Sequence, residues 1–359
     1  MADSTDTKPV RASENLDWKN LENYLRENLK EKFADEFDVS AEMQVEQFPG
    51  GHSNLTYLLR FGNQEFVMRR PPFGPVPPKA HDMAREFHIL ENVHPVYPLA
   101  PRPFVLCENT NIIGSIFYVM ERRHGIIIRT DETPQLTDNP AARLKVSKAM
   151  VDALAELHLV DVYANELNNL GKPAGFVERQ VRGWTERWHG AQTSGLKEMD
   201  LLAAWLVERL PPDAPRPTLV HGDFKLDNVM LDAENVGKIV GVFDWEMSAI
   251  GDPLVDLGIF LCYWVHTSTA AQRDSIASVT NRKGYFTREE IIKDYAARTN
   301  CDLTNVTFYE VFAVFKLAVV IQQIYYRFFK GQTDDARFAR LNERVEWLAR
   351  IGAKLIERI

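Results

Sequence analysis

Leu16, Leu21, Tyr24, Leu25, Leu29 and Phe33 recur at helical spacing, which predicts an amphipathic helix near the N-terminus. Residues 43–48, 55–61 and 65–70 then alternate or are apolar and rich in β-formers, with the turn signals Gly50-Gly51 and Gly62-Asn63 between them. That pattern predicts an antiparallel meander. Residues 80–93 return to helical spacing through Met83, Phe87 and Leu90, and residues 116–120 read as one further strand. From there amphipathic helices dominate: residues 141–159, about 176–188, 196–210, 255–264, 288–298, and a long pair from about 308 onward. The fold class is therefore α+β, with a sheet-bearing N-terminal half and a helical remainder. The most apolar stretch, residues 311–321, is interrupted by Lys316 and closed by Gln322-Gln323. It is too short and polar to span a bilayer and reads as a buried helix.

A chain of 359 residues can bury a sizeable core and is long for one domain. Two lobes are expected, over residues 15–121 and 122–359, after a floppy polar tail at residues 1–14 that resembles neither a secretory signal nor a membrane anchor. A net charge of −8 argues against a nucleic-acid partner, which would call for a basic stripe. Cys107, Cys262 and Cys301 are far apart without CxxC spacing, which fits reduced thiols and a cytosolic location. Partners should be small molecules.

The chemistry concentrates in His221-Gly222-Asp223-Phe224-Lys225-Leu226-Asp227-Asn228 and, after an apolar run, Asp244-Trp245-Glu246. Phosphoryl transfer from Mg-ATP needs an acid at the acceptor hydroxyl, a cation at the migrating group and oxygen ligands for the metal. Asp223 would orient and deprotonate the hydroxyl. Lys225, two residues on in an extended loop, could reach the phosphoryl group. Asn228 offers a neutral oxygen to magnesium, and the run Ile239-Val240-Gly241-Val242-Phe243 reads as a buried strand delivering the Asp244 carboxylate. Glu246 either touches the metal or rims the site. Gly50 and Gly51 would let backbone approach the nucleotide phosphates, with Ser53 and Asn54 as donors, although the same glycines also suit a plain hairpin turn.

These motifs, together with Gly251-Asp252-Pro253-Leu254-Val255-Asp256-Leu257-Gly258, resemble the aminoglycoside phosphotransferase family of protein-kinase-like enzymes. Within it, the segment 50–57, Met68-Arg69-Arg70-Pro71-Pro72 and Phe315-Lys316-Leu317-Ala318 are most similar to the kinase-like domain that precedes some acyl-CoA dehydrogenases. The resemblance covers nearly everything after about residue 15. It implies a two-lobed kinase-like fold, ATP and Mg²⁺ as cofactors, and a connector at Glu121-Arg122-Arg123-His124-Gly125 whose backbone meets adenine, which makes Glu121 and Arg123 nucleotide-site candidates. It also places Arg69 where kinases carry the strand lysine and Glu86 where they carry the helix glutamate. Arginine there is a departure, because a guanidinium is a fork and an ammonium a point charge. Arg70, on the opposite face of the strand, should be solvated. His158 and His221 read as core or loop-shaping residues, and Asp256 as a cap or buried acceptor for catalytic-loop amides.

Two features bear on the acceptor. Gly222 stands where protein kinases carry an arginine that receives a phosphorylated activation loop, and only seven residues separate Asp244 from Asp252. No polypeptide-docking segment is left, so the acceptor should be a small hydroxylated molecule. Arg179, Arg182, Trp184, Arg187, Trp188 and His189, with Tyr325, Tyr326 and Arg327 further on, are basic and aromatic. Arg182, Trp184, Arg187, Trp188 and Tyr326 are accordingly candidates for an anionic acceptor such as a hydroxyacyl-CoA or hydroxy acid. The alternative is a solvated helix face with buried tryptophans. The rival functions are an aminoglycoside, amino-alcohol or sugar kinase and a catalytically silent nucleotide sensor.

Overall fold

The computed structural model describes residues 6–33, 40–49, 54–74, 81–163, 167–264 and 279–357. The chain divides into two compact units: Met1–His124 with Val240–Glu246, and Gly125–Ile239 with Met247–Ile359. The first unit thus takes back a short segment from far along the chain, which contains Asp244.

In the first unit, β1 (Met43–Gln47), β2 (Leu55–Phe61), β3 (Gln64–Arg70), β4 (Pro103–Cys107) and β5 (Phe117–Glu121) form an antiparallel sheet in the order β1-β2-β3-β5-β4. The meander is as expected; β4 was not foreseen. Helix α1 (Trp18–Phe33) lays Leu21, Leu25 and Leu29, all fully buried, against Tyr57, Phe61, Phe66 and Phe117 of the sheet. Burying a leucine stabilises by about 1.5–3 kcal/mol, so this face fixes the helix. Helix α2 (Met83–Val93) starts three residues later than the apolar pattern suggests, because the Asp82 side chain accepts from the Arg85 amide and caps it.

Residues 7–14 are not a loose tail. Lys8 exchanges backbone hydrogen bonds with Gln47 at 2.8 and 2.7 Å, and the Thr7 hydroxyl donates to Glu46 at 2.6 Å. A polar segment can be tied by backbone pairing to a sheet edge, and composition does not show that.

In the second unit, helices α3 (Pro140–Leu159), α4 (Phe176–Ala191), α5 (Lys197–Glu208), α6 (Leu254–Tyr263), α7 (Arg288–Thr299), α8 (Val306–Phe329) and α9 (Leu341–Ile356) surround short strands, of which β6 (Thr218–Val220) pairs antiparallel with β8 (Ala249–Gly251). Pro140 at the first turn with the Asn139 cap starts α3, and a capping box of Thr287 and Glu290 starts α7. Helix α8 is long and apolar enough to cross a membrane by length and composition, yet 72% of its most apolar window is buried inside the structure. It packs on α4, α5, α6 and α9 as the central core helix. At Gly258 a Cβ would lie 2.4 Å from the Tyr309 carbonyl oxygen, so α6 and α8 approach at a distance only glycine permits.

Candidate active-site residues

The second unit holds the His221–Asn228 loop. Strand β6 delivers His221 and Gly222; a 3₁₀ turn at Leu226–Asn228 follows, then β7 (Val229–Leu231). Gly222 sits at φ +83°, and a Cβ there would meet the Met247 carbonyl oxygen at 2.8 Å. The loop is clamped from α6: Asp256 accepts the His221 amide at 2.6 Å on one carboxylate oxygen and the Gly222 amide at 2.7 Å on the other. His158 from α3 stands 3.3 Å from the same carboxylate and binds the Tyr295 hydroxyl at 2.7 Å. Burial opposes the charge on Asp256, but hydrogen bonds and charge from His158 and His221 outweigh it and hold the carboxyl below its ordinary range. Asp256 and His158 are thus structural anchors.

Within that frame the three chemical residues are brought together. Lys225 Nζ lies 2.7 Å from Asp223 Oδ2, while Asn228 Nδ2 donates to the same oxygen at 3.0 Å and to the Asp223 carbonyl at 2.9 Å. With the amide nitrogen of Asn228 engaged, its oxygen is the atom suited to a cation. Burial would lower the Lys225 pKa, but Tyr263, whose ring centroid is 4.9 Å from the ammonium, and the Asp223 and Asp227 carboxylates raise it, so the cation stays charged.

The first unit carries the second group. Arg69 on β3 spreads its fork between two acids: Nη1 to Glu86 of α2 at 2.7 Å and Nη2 to Asp244 at 3.2 Å. A lysine could not span both carboxylates in this way. Asp244 adopts φ +71°, a left-handed conformation that costs an ordinary residue about 1–2 kcal/mol, of the kind that functional sites retain. Burial pushes the Glu86 carboxyl up to about 7, against the pull of Arg69, with Asp244 and Glu246 adding to the rise. Tyr118, paired opposite Arg69 across β3 and β5 and fully buried, completes the cluster. The sequence reading did not single it out, though its place on the strand beside Arg69 was the available signal.

Several expectations change. Gly50, Gly51 and Ser53 lie outside the described residues. Asn54 is buried with its Oδ1 2.8 Å from His81 Nδ1. Arg70 is not solvated: it is 4% exposed, donates to the Pro71 carbonyl and stacks over Phe73 at 4.1 Å, because that face of the sheet is covered. Glu121 and Arg123 pair with each other at 2.9 Å, and Arg123 also donates to the Pro98 carbonyl. The Glu246 carbonyl accepts from Arg85. On α4, Trp188 is 1% exposed and donates to Asp200, and Trp184 is 5% exposed. Both belong to the core, which corrects their assignment as acceptor contacts. Arg182 is exposed beside Glu186, Arg187 lies 4.6 Å over the Trp184 ring, and Tyr326 has Lys330 at 5.4 Å.

A five-stranded antiparallel sheet carrying a basic residue paired to a helix glutamate, and a helical unit with an acid-lysine-amide loop, are the elements of a protein-kinase-like fold. The chain belongs to the phosphotransferase enzyme family, whose model matches residues 44–290. It is 33% identical over 355 residues to acyl-CoA dehydrogenase family member 11 of Rattus norvegicus, covering 98% of this chain and 45% of that protein. The chain therefore spans about half the length of the curated relatives it matches. Among solved structures, a putative aminoglycoside phosphotransferase from Ralstonia eutropha aligns over 96% of this chain and 99% of its own, with TM-score 0.80 and 27% identity. Choline kinase from Cryptosporidium parvum shares the fold at TM-score 0.64 and 13% identity, over 95% of this chain and 97% of its own.

Proposed function

We propose that the protein transfers the γ-phosphoryl group of ATP to the hydroxyl of a small anionic acceptor, a hydroxyacyl thioester or a hydroxy acid. The observation that carries the chemistry is the Asp223 carboxylate, held by Lys225 and Asn228 on a loop whose amides are locked to Asp256. Asp223 accepts the proton of the attacking hydroxyl as the phosphoryl group departs, a role worth about 10²–10⁴-fold in rate. Lys225 moves its charge from Asp223 to the migrating group. Asn228 offers an amide oxygen and Asp244 a carboxylate, each an oxygen donor of the kind that suits magnesium, which when bound would supply charge neutralisation at the phosphates. Arg69 holds Asp244 and Glu86 in position and presents its cation to the nucleotide.

The acceptor class rests on two supports. Arg182 and Arg187 put exposed positive charge on α4, where a polycationic antibiotic would need carboxylates. Most of the curated relatives carry acyl-CoA in their names, although an aminoglycoside 3'-phosphotransferase of Escherichia coli also matches, at 30% identity over 129 residues. An aminoglycoside or other amino alcohol is the second reading, favoured by the Ralstonia eutropha structure's description. ADP release measured with 3- and 4-hydroxyacyl-CoA, free hydroxy acids, kanamycin and choline separates them. Stimulation by the anionic acceptors alone is expected; stimulation by kanamycin or choline alone overturns the acceptor assignment.

A further inference from the structure

Lys316 lies in the middle of α8, the central core helix, and is 7% exposed. An ammonium is expensive to bury and is kept only where its donors are used. Its Nζ donates to the Gly222 carbonyl, and the ring of Trp184 lies 5.4 Å away. Burial lowers its pKa, opposed by the negative charges of Asp223 and Asp256.

The His221-Gly222 backbone has four polar groups, and each is held by a side chain. Asp256 of α6 takes both amides, the Ser248 hydroxyl donates to the His221 carbonyl at 3.2 Å, and Lys316 of α8 takes the Gly222 carbonyl. The Gly222 carbonyl belongs to the peptide bond that leads into Asp223. Fixing that peptide plane fixes the direction in which the Asp223 side chain leaves the chain.

We propose that Lys316 is a positioning residue for phosphoryl transfer, holding the carbonyl of the Gly222–Asp223 peptide while Asp256 holds the His221 and Gly222 amides, so that the base is aimed before the acceptor arrives. This rests on Asp223 being the base. Without Lys316 the loop keeps its fold through Asp256 and Ser248, but the carbonyl loses its buried partner and the peptide is held only by the 3.2 Å bond from the Asp223 amide to His221 Nδ1. Misplacement of a reacting group by about 1 Å costs on the order of 10²-fold.

The test uses ATP with water as the acceptor, measured on the unaltered protein, Lys316→Met, Lys316→Arg, Lys316→Gln and Asp223→Asn, with binding of a fluorescent ATP analogue and thermal melting alongside. Lys316→Met should fold, bind nucleotide as before with KM for ATP unchanged, and lose turnover by about 100-fold. Lys316→Arg, which restores a charged donor, should recover most of it. If Lys316→Met fails to fold, Lys316→Gln decides, with roughly a tenfold loss in turnover expected at unchanged KM. A folded Lys316→Met or Lys316→Gln with turnover within twofold of the unaltered protein, or a loss that tracks nucleotide affinity, overturns the positioning role while a dead Asp223→Asn leaves the base intact. A fully active Asp223→Asn, or an unaltered protein without turnover, removes the base and this inference together.

Discussion

Asp256 shows how one side chain can be both buried and charged. Its two oxygens each accept a loop amide and His158 stands beside it, so the desolvated charge is fully partnered. Truncation to alanine leaves two buried amides without an acceptor and should cost about 3–5 kcal/mol at pH 7 by urea unfolding. Because the folded-state pKa lies below the ordinary value of 3.8, the carboxylate's contribution is complete above that pH and is lost as pH falls through the lowered value. The gap between unaltered protein and Asp256→Ala should therefore narrow below about pH 4. A gap of constant size across that range would refute the anchoring role. At this scale the sequence was informative where chemistry forces spacing: Asp223, Lys225 and Asn228 lie close together in the chain and meet in space. It marked Lys316 only as a polar interruption and as part of a family motif, and gave it no role, because its partner at Gly222 is distant in sequence and is reached only through the packing of α8. It misled at Arg70, since alternation says which face a residue points to and not whether that face is covered.

Helices were readable from periodicity because those among the described residues of the second unit bury one or more faces against a common core. Their ends moved by a few residues where a cap decided the start, as Asp82 does for α2. Strand β4 was missed because Pro101 and Pro103 frame it and the apolar run after them is short. It is a strand because β5 offers it a pairing edge, a tertiary effect that no local pattern encodes. The contact of α6 with α8 was equally invisible, since Gly258 inside a helical pattern looks only like a weak residue. Gly258→Ala would drive a methyl into the Tyr309 backbone, and helix-favouring alanine cannot compensate. Destabilisation of about 1–3 kcal/mol is expected in a denaturant titration. A variant as stable as the unaltered protein would mean that the two helices are free to separate.

For the whole molecule, the expected division near residue 122 differs from the observed one in a way that bears on function. The first unit includes Val240–Glu246, so the carboxylate Asp244 lies in the same unit as Arg69, with which it pairs, and Glu86. A linear reading assigns residues to lobes in chain order and cannot see a segment returning. The kinase-like resemblance carried the fold class and the family correctly, whereas the acceptor was not legible: its candidate tryptophans on α4 turned out to be core residues. The most direct measurement of the account is transfer of label from γ-labelled ATP to hydroxylated acceptors by the unaltered protein and by Asp223→Asn. A labelled phosphomonoester is expected, falling by about 10²–10⁴-fold in the variant while ATP binding persists. Equal labelling by both proteins would contradict it.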